Sequence, residues 1–274
     1  MIAAALLIAA ATLPDVPAGA PVAVSEFQYA RPLGVIPRGA VSLTLDAHVL
    51  LHSLDLRDVR VVDEKSNQIP YLVSPRPSPT VVPLSVPTAA REGKQSVYRL
   101  VLPDDSLPSG TQLELTTSAQ VFERDILLRR PLDESRGREP QVIERLRWTS
   151  TPTLRTSIYS GRAIEIVVDE GDNAALPIAS AKLLLPGFAL RFVSPGTPLT
   201  LLYGDPSIAS PRYDLTLLSS RLLGQPAREI ALTGPPAQER REKHDQPKVF
   251  AIAIGVAVIV LLIVLARLVS AQQS

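Results

Sequence analysis

An uninterrupted apolar run near the C-terminus constrains this chain more than any other feature. Residues 249–266 are 18 consecutive positions without a charged or strongly polar side chain, and 13 of them are Val, Ile, Leu or Phe. At a helical rise of about 1.5 Å per residue, the run spans about 27 Å, close to the hydrocarbon thickness of a bilayer. A buried core helix is the alternative, but such a helix normally has a polar side. The sequence therefore predicts a transmembrane helix at residues 249–269, followed by a cytoplasmic tail at residues 270–274.

A second apolar run lies at the N-terminus. Residues 2–13 are uncharged and consist mostly of Ala, Leu and Ile. This run is too short to span a bilayer but has the length of the apolar part of a signal peptide, and Ala18-Gly19-Ala20 fits the small-residue cleavage pattern. We therefore predict a signal peptide at residues 1–20, with an uncleaved N-terminal anchor as the alternative.

The charges that flank the C-terminal run favour the opposite orientation. Arg240, Arg241, Lys243 and Lys248 precede the run whereas Arg267 follows it, and the positive-inside rule alone would place the four on the cytoplasmic side. However, an exported domain is translocated largely regardless of its charges, and acidic residues are interleaved with these basic ones. We therefore expect the region before the helix to lie outside the cytoplasm.

The composition between the two apolar runs is typical of a β-rich protein. The chain has 26 prolines, no cysteine and a formal net charge of +1. The alternation at Val41, Leu43 and Leu45 predicts a half-buried strand, and short β-rich runs recur along the chain. The absence of cysteine excludes disulfides and thiolate sites, and the scattered basic residues give no footprint for nucleic acid.

Breaks in this pattern predict the domain organisation. The charged segment at residues 133–140 separates a first β-domain, residues 21–135, from a second, residues 136–232. Residues 233–248 are rich in Pro, Gly and charge, and they predict a flexible stalk. Residues 74–88 are predicted to be irregular because they contain Pro75, Pro77, Pro79, Pro83 and Pro87. Residues 213–223 give the one helical pattern between the two apolar runs.

Several polar clusters are compatible with chemistry, but each has an ordinary structural explanation. His48 and His52 have a spacing that would hold zinc on a helix, but the alternation around them favours a strand or loop with solvent-facing histidines. Oxygen ligands for calcium could come from Asp169, Glu170, Asp172 and Asn173 around Gly171, and the same residues make an acidic turn.

Catalytic machinery is not evident. The carboxylate pairs Asp104-Asp105 and Asp133-Glu134 are compatible with acid–base work on a glycan, but adjacent acids in such loops are more often solvated turns. Neither histidine lies near a nucleophile elbow, and there is no glycine-rich phosphate loop. The sequence therefore predicts a protein that is not an enzyme and holds no cofactor or metal.

One pair of motifs near residue 210 forms a candidate interaction surface. Arginine can bind a carboxylate with two parallel hydrogen bonds, and tyrosine offers flat amphipathic area. The alternative is that the tyrosines fill one end of the domain and that the arginine pairs with a neighbouring acid. The residues of this surface are Tyr203, Asp205, Arg212, Tyr213 and Asp214.

These motifs belong to a wider resemblance. The chain resembles domain-of-unknown-function family 3999, a family of uncharacterised bacterial envelope proteins with an exported β-rich region and a C-terminal transmembrane helix. The matching stretches are Asp55-Leu56-Arg57-Asp58-Val59-Arg60-Val61, Ile69-Pro70-Tyr71, Leu176-Pro177-Ile178, Leu202-Tyr203-Gly204-Asp205-Pro206, Ala209 and Pro211-Arg212-Tyr213-Asp214-Leu215. The resemblance implies two β-sandwich domains of carbohydrate-binding-module or discoidin type, in the periplasm and anchored by one pass in the bacterial inner membrane. It implies no reaction and no catalytic residues.

The predicted function is accordingly that of an interaction protein. We expect a membrane-anchored, non-enzymatic interaction or scaffold protein of the cell envelope, whose partners are the lipid bilayer and another envelope membrane protein. Binding of a glycan or peptidoglycan is the alternative, although the 4% aromatic content leaves few rings on which a sugar could stack.

Overall fold

The region between the apolar runs folds into β-strands that form three sheets. The computed structural model describes residues 16–131, 140–235 and 237–238. The strands are β1 (Tyr29–Val35), β2 (Gly39–Thr44), β3 (Arg60–Asp63), β4 (Tyr71–Leu84), β5 (Ala90–Glu92), β6 (Gln95–Val101), β7 (Gln112–Thr117), β8 (Glu123–Arg130), β9 (Gln141–Thr149), β10 (Thr153–Ser157), β11 (Ala163–Asp169), β12 (Ile178–Ser194), β13 (Pro198–Tyr203), β14 (Arg228–Ala231) and β15 (Ala237–Gln238). The helices are α1 (Ala47–His52), α2 (Ser219–Gly224) and 3-10 helices at Val24–Glu26 and Asp214–Leu218. The prediction of a mainly β protein is confirmed.

The three sheets share the chain in a non-sequential order. One has the order β15-β1-β13-β3, and a second has the order β5-β6-β11-β8-β9. The third has the order β10-β7-β12-β2-β14, with β4 on the other side of β12. Except for the pairing of β14 with β2, the pairings are antiparallel.

β12 connects distant parts of the chain. It pairs first with β7 and then with β2 along one edge, while β4 pairs with most of its other edge. The sequence predicts two strands here, at residues 181–185 and 189–193. The structure joins them through a register shift between Leu185 and Gly187. A side chain on Gly187 would meet the Ser78 carbonyl oxygen, so a glycine allows the close approach of the two strands.

The pairing of β11 and β12 corrects the predicted division at residues 135 and 136. Both strands follow that point, yet they pair with β2, β4, β6, β7 and β8, which precede it. The described residues accordingly belong to one compact unit. A charged loop in the sequence therefore need not mark the end of a sheet.

β4 corrects a second prediction. Residues 74–84 were predicted to be irregular but belong to this 14-residue strand. Among the described strands β4 pairs only with β12, so its other edge is free. Proline is tolerated on an edge strand when the missing N–H would face away from the ladder. The prolines are therefore compatible with a strand at this place.

One hydrophobic cluster joins the inner faces of the sheets. The predicted alternation in β2 is confirmed, since Val41, Leu43 and Leu45 are almost fully buried. The same cluster contains Leu113 from β7 and Ile166 from β11. The predicted helical pattern is also confirmed, as a 3-10 helix followed directly by α2.

The predicted membrane segments fall outside the structure as described. Most of the predicted signal peptide, most of the stalk, the transmembrane helix at residues 249–269 and the tail at residues 270–274 lie outside the described residues. Within the described residues, no helix combines the length and the apolar character that crossing a bilayer requires.

Candidate functional site

The five residues of the predicted interaction surface separate into a buried group and an exposed group. Tyr203 and Asp205 are almost fully buried, and Tyr213 is half-buried. Arg212 and Asp214 are exposed. The first two residues therefore act within the fold, while the last two are available to a partner.

Asp58 organises the turn that follows β13. One oxygen of its buried carboxylate accepts hydrogen bonds from the backbone N–H groups of Gly204 and Asp205, at 2.6 and 2.7 Å. The other accepts a hydrogen bond from the Ser53 hydroxyl. Asp205 continues the turn, because its Oδ1 accepts from the backbone and hydroxyl of Ser207. Buried donors are thus satisfied by a buried acceptor, which fixes the turn.

Arg60 and two tyrosines hold the next segment in place. Arg60 is 5% exposed and donates to the backbone oxygens of Arg57, Val59 and Ala209, at 2.6 to 2.8 Å. Tyr71 donates to the Val59 oxygen at 2.5 Å, and its ring meets the ring of Tyr213 edge-on at 5.4 Å. Sequence motifs that lie 149 residues apart therefore meet at this point.

Tyr213 is the anchor of the exposed segment. Its hydroxyl donates to the Gln68 side-chain oxygen at 2.9 Å. Burial raises the pKa of Tyr213 to about 12, although the nearby Arg60 acts in the opposite direction. The hydroxyl therefore remains a hydrogen-bond donor at neutral pH.

A cavity of about 290 Å³ opens beside this anchor. We call it the Arg60 cavity. Arg60, Arg212 and Glu26 contribute charged side chains to its lining. The other lining residues are Gly19, Ala20, Val22, Phe27, Gln68, Ile208, Pro211 and Tyr213. The cavity therefore combines two guanidinium groups with an apolar wall.

The exposed part of the segment carries unpaired charges and a large apolar side chain. The predicted alternative, an ion pair between Arg212 and Asp214, does not form, and neither side chain has an ion pair with another described residue. Leu217, in the adjoining 3-10 helix, is 85% exposed. We call these three residues the Arg212 surface.

The two histidines lie on a helix, which the sequence analysis did not predict. Asp46 caps α1 by accepting a hydrogen bond from the Val49 N–H, and this cap starts a helix directly after β2. The rings of His48 and His52 stack with centroids 4.1 Å apart, and His52 bonds through Nδ1 to the His48 carbonyl. Both are half-buried rather than solvent-facing. The Asp46 cap was the signal in the sequence that could have revealed this helix.

Tyr203 connects α1 to the central strands. Its hydroxyl lies 2.9 Å from His48 Nδ1, and its ring stacks on Tyr29. Burial, followed by the charge of His52, lowers the pKa of His48. Burial likewise raises the pKa of Tyr203 to about 12. His48 and Tyr203 are therefore uncharged at neutral pH, and Tyr203 packs as part of the core.

The residues around Gly171 that could supply oxygen ligands for calcium are engaged within the protein. Glu170 is 1% exposed. Its carboxylate forms an ion pair with Arg124 at 2.7 Å and accepts a hydrogen bond from the Leu176 N–H. Asp169 accepts from Gly171, and Asp172 pairs with Lys94. No group of three or more acidic, histidine or cysteine side chains within the described ranges has the arrangement of a metal site.

The carboxylate pair Asp104-Asp105 occupies a loop. Both carboxylate oxygens of Asp105 accept a hydrogen bond from Arg162 Nε at 2.8 Å. Asp104 accepts a hydrogen bond from the Ser106 N–H. The pair Asp133-Glu134 lies outside the described residues.

Most described aromatic rings are unavailable to a ligand. Trp148 is 1% exposed, donates to the Thr151 oxygen and meets Phe122 edge-on. Among described aromatic residues, Tyr159 is the one with an exposed side chain, at 63%. The described surface therefore offers one ring on which a sugar could stack.

Comparison with known proteins adds no relative to this picture. No model of a known protein family matches the chain, and no curated protein is significantly similar to it. The resemblance to family 3999 therefore stays a prediction.

Proposed function

We propose that this protein is a non-enzymatic recognition protein of the bacterial cell envelope, anchored by one pass in the inner membrane. Its periplasmic β-rich region would bind an envelope membrane protein through the Arg212 surface. The finer architecture in this proposal is β-sandwich packing of carbohydrate-binding-module or discoidin type, which the resemblance to family 3999 implies.

The observation that carries the proposal is the Arg212 surface itself. Its charges are unpaired within the described residues, and Leu217 exposes most of its side chain beside them. Interfaces often combine an arginine with a central apolar side chain surrounded by polar groups. Tyr213 anchors this segment through its hydrogen bond to Gln68, so a partner would bind an ordered surface.

The polar groups inside the fold favour recognition over catalysis. Asp58, Asp205 and Glu170 are buried, and each accepts hydrogen bonds that hold a turn or loop. A general acid or base must instead reach a substrate. These carboxylates are therefore best explained as structural groups.

The proposal is tested by recovery of a partner from membranes. Full-length protein carrying an affinity tag is extracted in detergent and purified with its companions. We expect one companion in a fixed ratio, and we expect Arg212→Ala combined with Leu217→Asp to reduce its recovery by about tenfold, since a buried charged contact and an apolar anchor are both lost.

The matched control is Val121→Asp. Val121 is 92% exposed in the loop between β7 and β8, away from the Arg212 surface in sequence. This variant should recover as much companion as the unaltered protein. Recovery of the protein alone, or equal losses in both variants, would contradict the proposal.

A further inference from the structure

The charges of the Arg60 cavity select the kind of ligand that it can hold. Arg60 and Arg212 line the cavity together with one carboxylate, Glu26, which leaves a formal charge of +1. A ligand with a single negative charge balances this lining.

Arg60 retains donors for such a ligand. Its three hydrogen bonds all go to backbone oxygens, and it forms no ion pair with a described side chain. A guanidinium has five N–H groups, so two remain beyond these three bonds. Because the side chain is 5% exposed and held at three points, it would bind an anion with little loss of conformational entropy.

Four apolar side chains also line the cavity. They are those of Val22, Phe27, Ile208 and Pro211. A ligand that fits both features carries its carboxylate directly beside an apolar group. The C-terminal residue of a peptide has this arrangement when its side chain is apolar, and capture of a terminal carboxylate is a known mode of peptide recognition.

We infer that the Arg60 cavity binds the C-terminal carboxylate of a partner protein whose last residue is apolar. This inference rests on the proposed recognition function and specifies which part of the partner is recognised. Arg60 and Arg212 bind the carboxylate, and the apolar wall receives the terminal side chain. Cleavage of a signal peptide after Ala20 would remove Gly19 and Ala20 from the rim and add the positive charge of a new N-terminus at Pro21, next to Val22, which would favour an anion further.

The inference is tested with N-acetyl-leucine as the probe. Its binding to the purified full-length protein in detergent is followed by ligand-observed NMR. N-acetyl-leucinamide has the same side chain and no negative charge. It should bind at least about tenfold more weakly, because it cannot form charge-assisted hydrogen bonds with the two guanidinium groups. Arg212→Ala should weaken the binding of N-acetyl-leucine to a similar degree. Arg221→Ala, which replaces an exposed arginine of α2, should leave this binding unchanged.

Three outcomes would overturn the inference. They are equal binding of the acid and the amide, equal losses in Arg212→Ala and Arg221→Ala, and tighter binding of octanoate, which would indicate a lipid-derived carboxylate. A companion recovered from membranes through the Arg212 surface would still support the proposed function in each case. If the unaltered protein is recovered without any companion but still binds N-acetyl-leucine, the proposed function is refuted and the binding of a carboxylate in the Arg60 cavity is not.

Discussion

Single polar residues hold together segments that are far apart in the sequence. Asp58 binds two backbone N–H groups of the Gly204 turn, and Arg60 binds the Ala209 carbonyl. The motifs that contain these residues are recognisable in the sequence, but their contacts are not. The local sequence around a loop carboxylate does not show whether the carboxylate is solvated or buried. The candidate surface was predicted as five equivalent residues, and tertiary packing divides them.

The Asp58 carboxylate gives the first prediction. Asp58→Ala leaves two buried backbone donors without an acceptor, at a cost of about 1 to 3 kcal/mol each. We therefore expect the free energy of unfolding to fall by about 2 to 6 kcal/mol. Chemical denaturation followed by the fluorescence of Trp148, the single tryptophan, measures it.

Asp55→Ala is the control for Asp58→Ala. Asp55 lies three residues earlier in the chain, and it and its ion-pair partner Arg57 are about half exposed. Its loss should cost about 1 kcal/mol or less. Equal denaturation midpoints for the two variants would contradict the structural role of Asp58.

Gly204 gives the second prediction. Its φ is +93°, and an added Cβ would lie 2.7 Å from a ring carbon of Tyr29. Gly204→Ala should therefore destabilise the protein through backbone strain of about 1 to 2 kcal/mol and overpacking of about 1 to 3 kcal/mol. Gly93→Ala has a similarly positive φ but meets no atom within 4 Å. If the two variants unfold at the same denaturant concentration, the close approach of Tyr29 to Gly204 does not contribute to the loss of stability.

His48 gives a prediction about pH. Burial and the neighbouring His52 lower its pKa in the folded state below the ordinary value of 6.5. Between the two pKa values the unfolded chain binds the proton and the folded protein does not, so stability falls as the pH falls below about 6.5 and levels off below the folded pKa. His48→Gln should lose less stability than the unaltered protein between about pH 7 and pH 5. Parallel stability curves for both proteins would contradict this account.

At the scale of elements, the sequence predicted strands more reliably than their pairing. The alternation of β2 was evident in the sequence, since a period of two is a local property. α1 was missed because the alternation continues up to it, and β4 was missed because its prolines are acceptable only on a free edge. Edge position is decided by the rest of the sheet and leaves little signal in the strand itself.

The prolines of β4 give the fourth prediction. Replacing Pro75, Pro77 and Pro79 with threonine would restore N–H groups on the free edge of a long strand. Such an edge can pair with the same strand of a second molecule. We expect the triple variant to self-associate in sedimentation velocity experiments in detergent. Pro87→Thr, outside β4, should sediment as the unaltered protein does, and an unchanged triple variant would show that the prolines do not protect this edge.

At the scale of the whole molecule, the described residues form one β-rich unit, although the sequence predicted a division near residue 135. β12 is responsible, because it pairs with strands from three separate parts of the chain. No local pattern contains that information. The β-rich unit for which we propose a recognition function is therefore connected to the predicted membrane anchor by residues 239–248.

The most direct test is membrane fractionation of the full-length protein beside a version that ends at Lys248. The account predicts that the full-length chain stays with the membrane pellet after an alkaline carbonate wash and requires detergent for release, because the apolar run at residues 249–266 favours the hydrocarbon core. The shortened version should appear in the soluble fraction. Release of the full-length chain by the wash alone would contradict the membrane anchor and with it the proposed function.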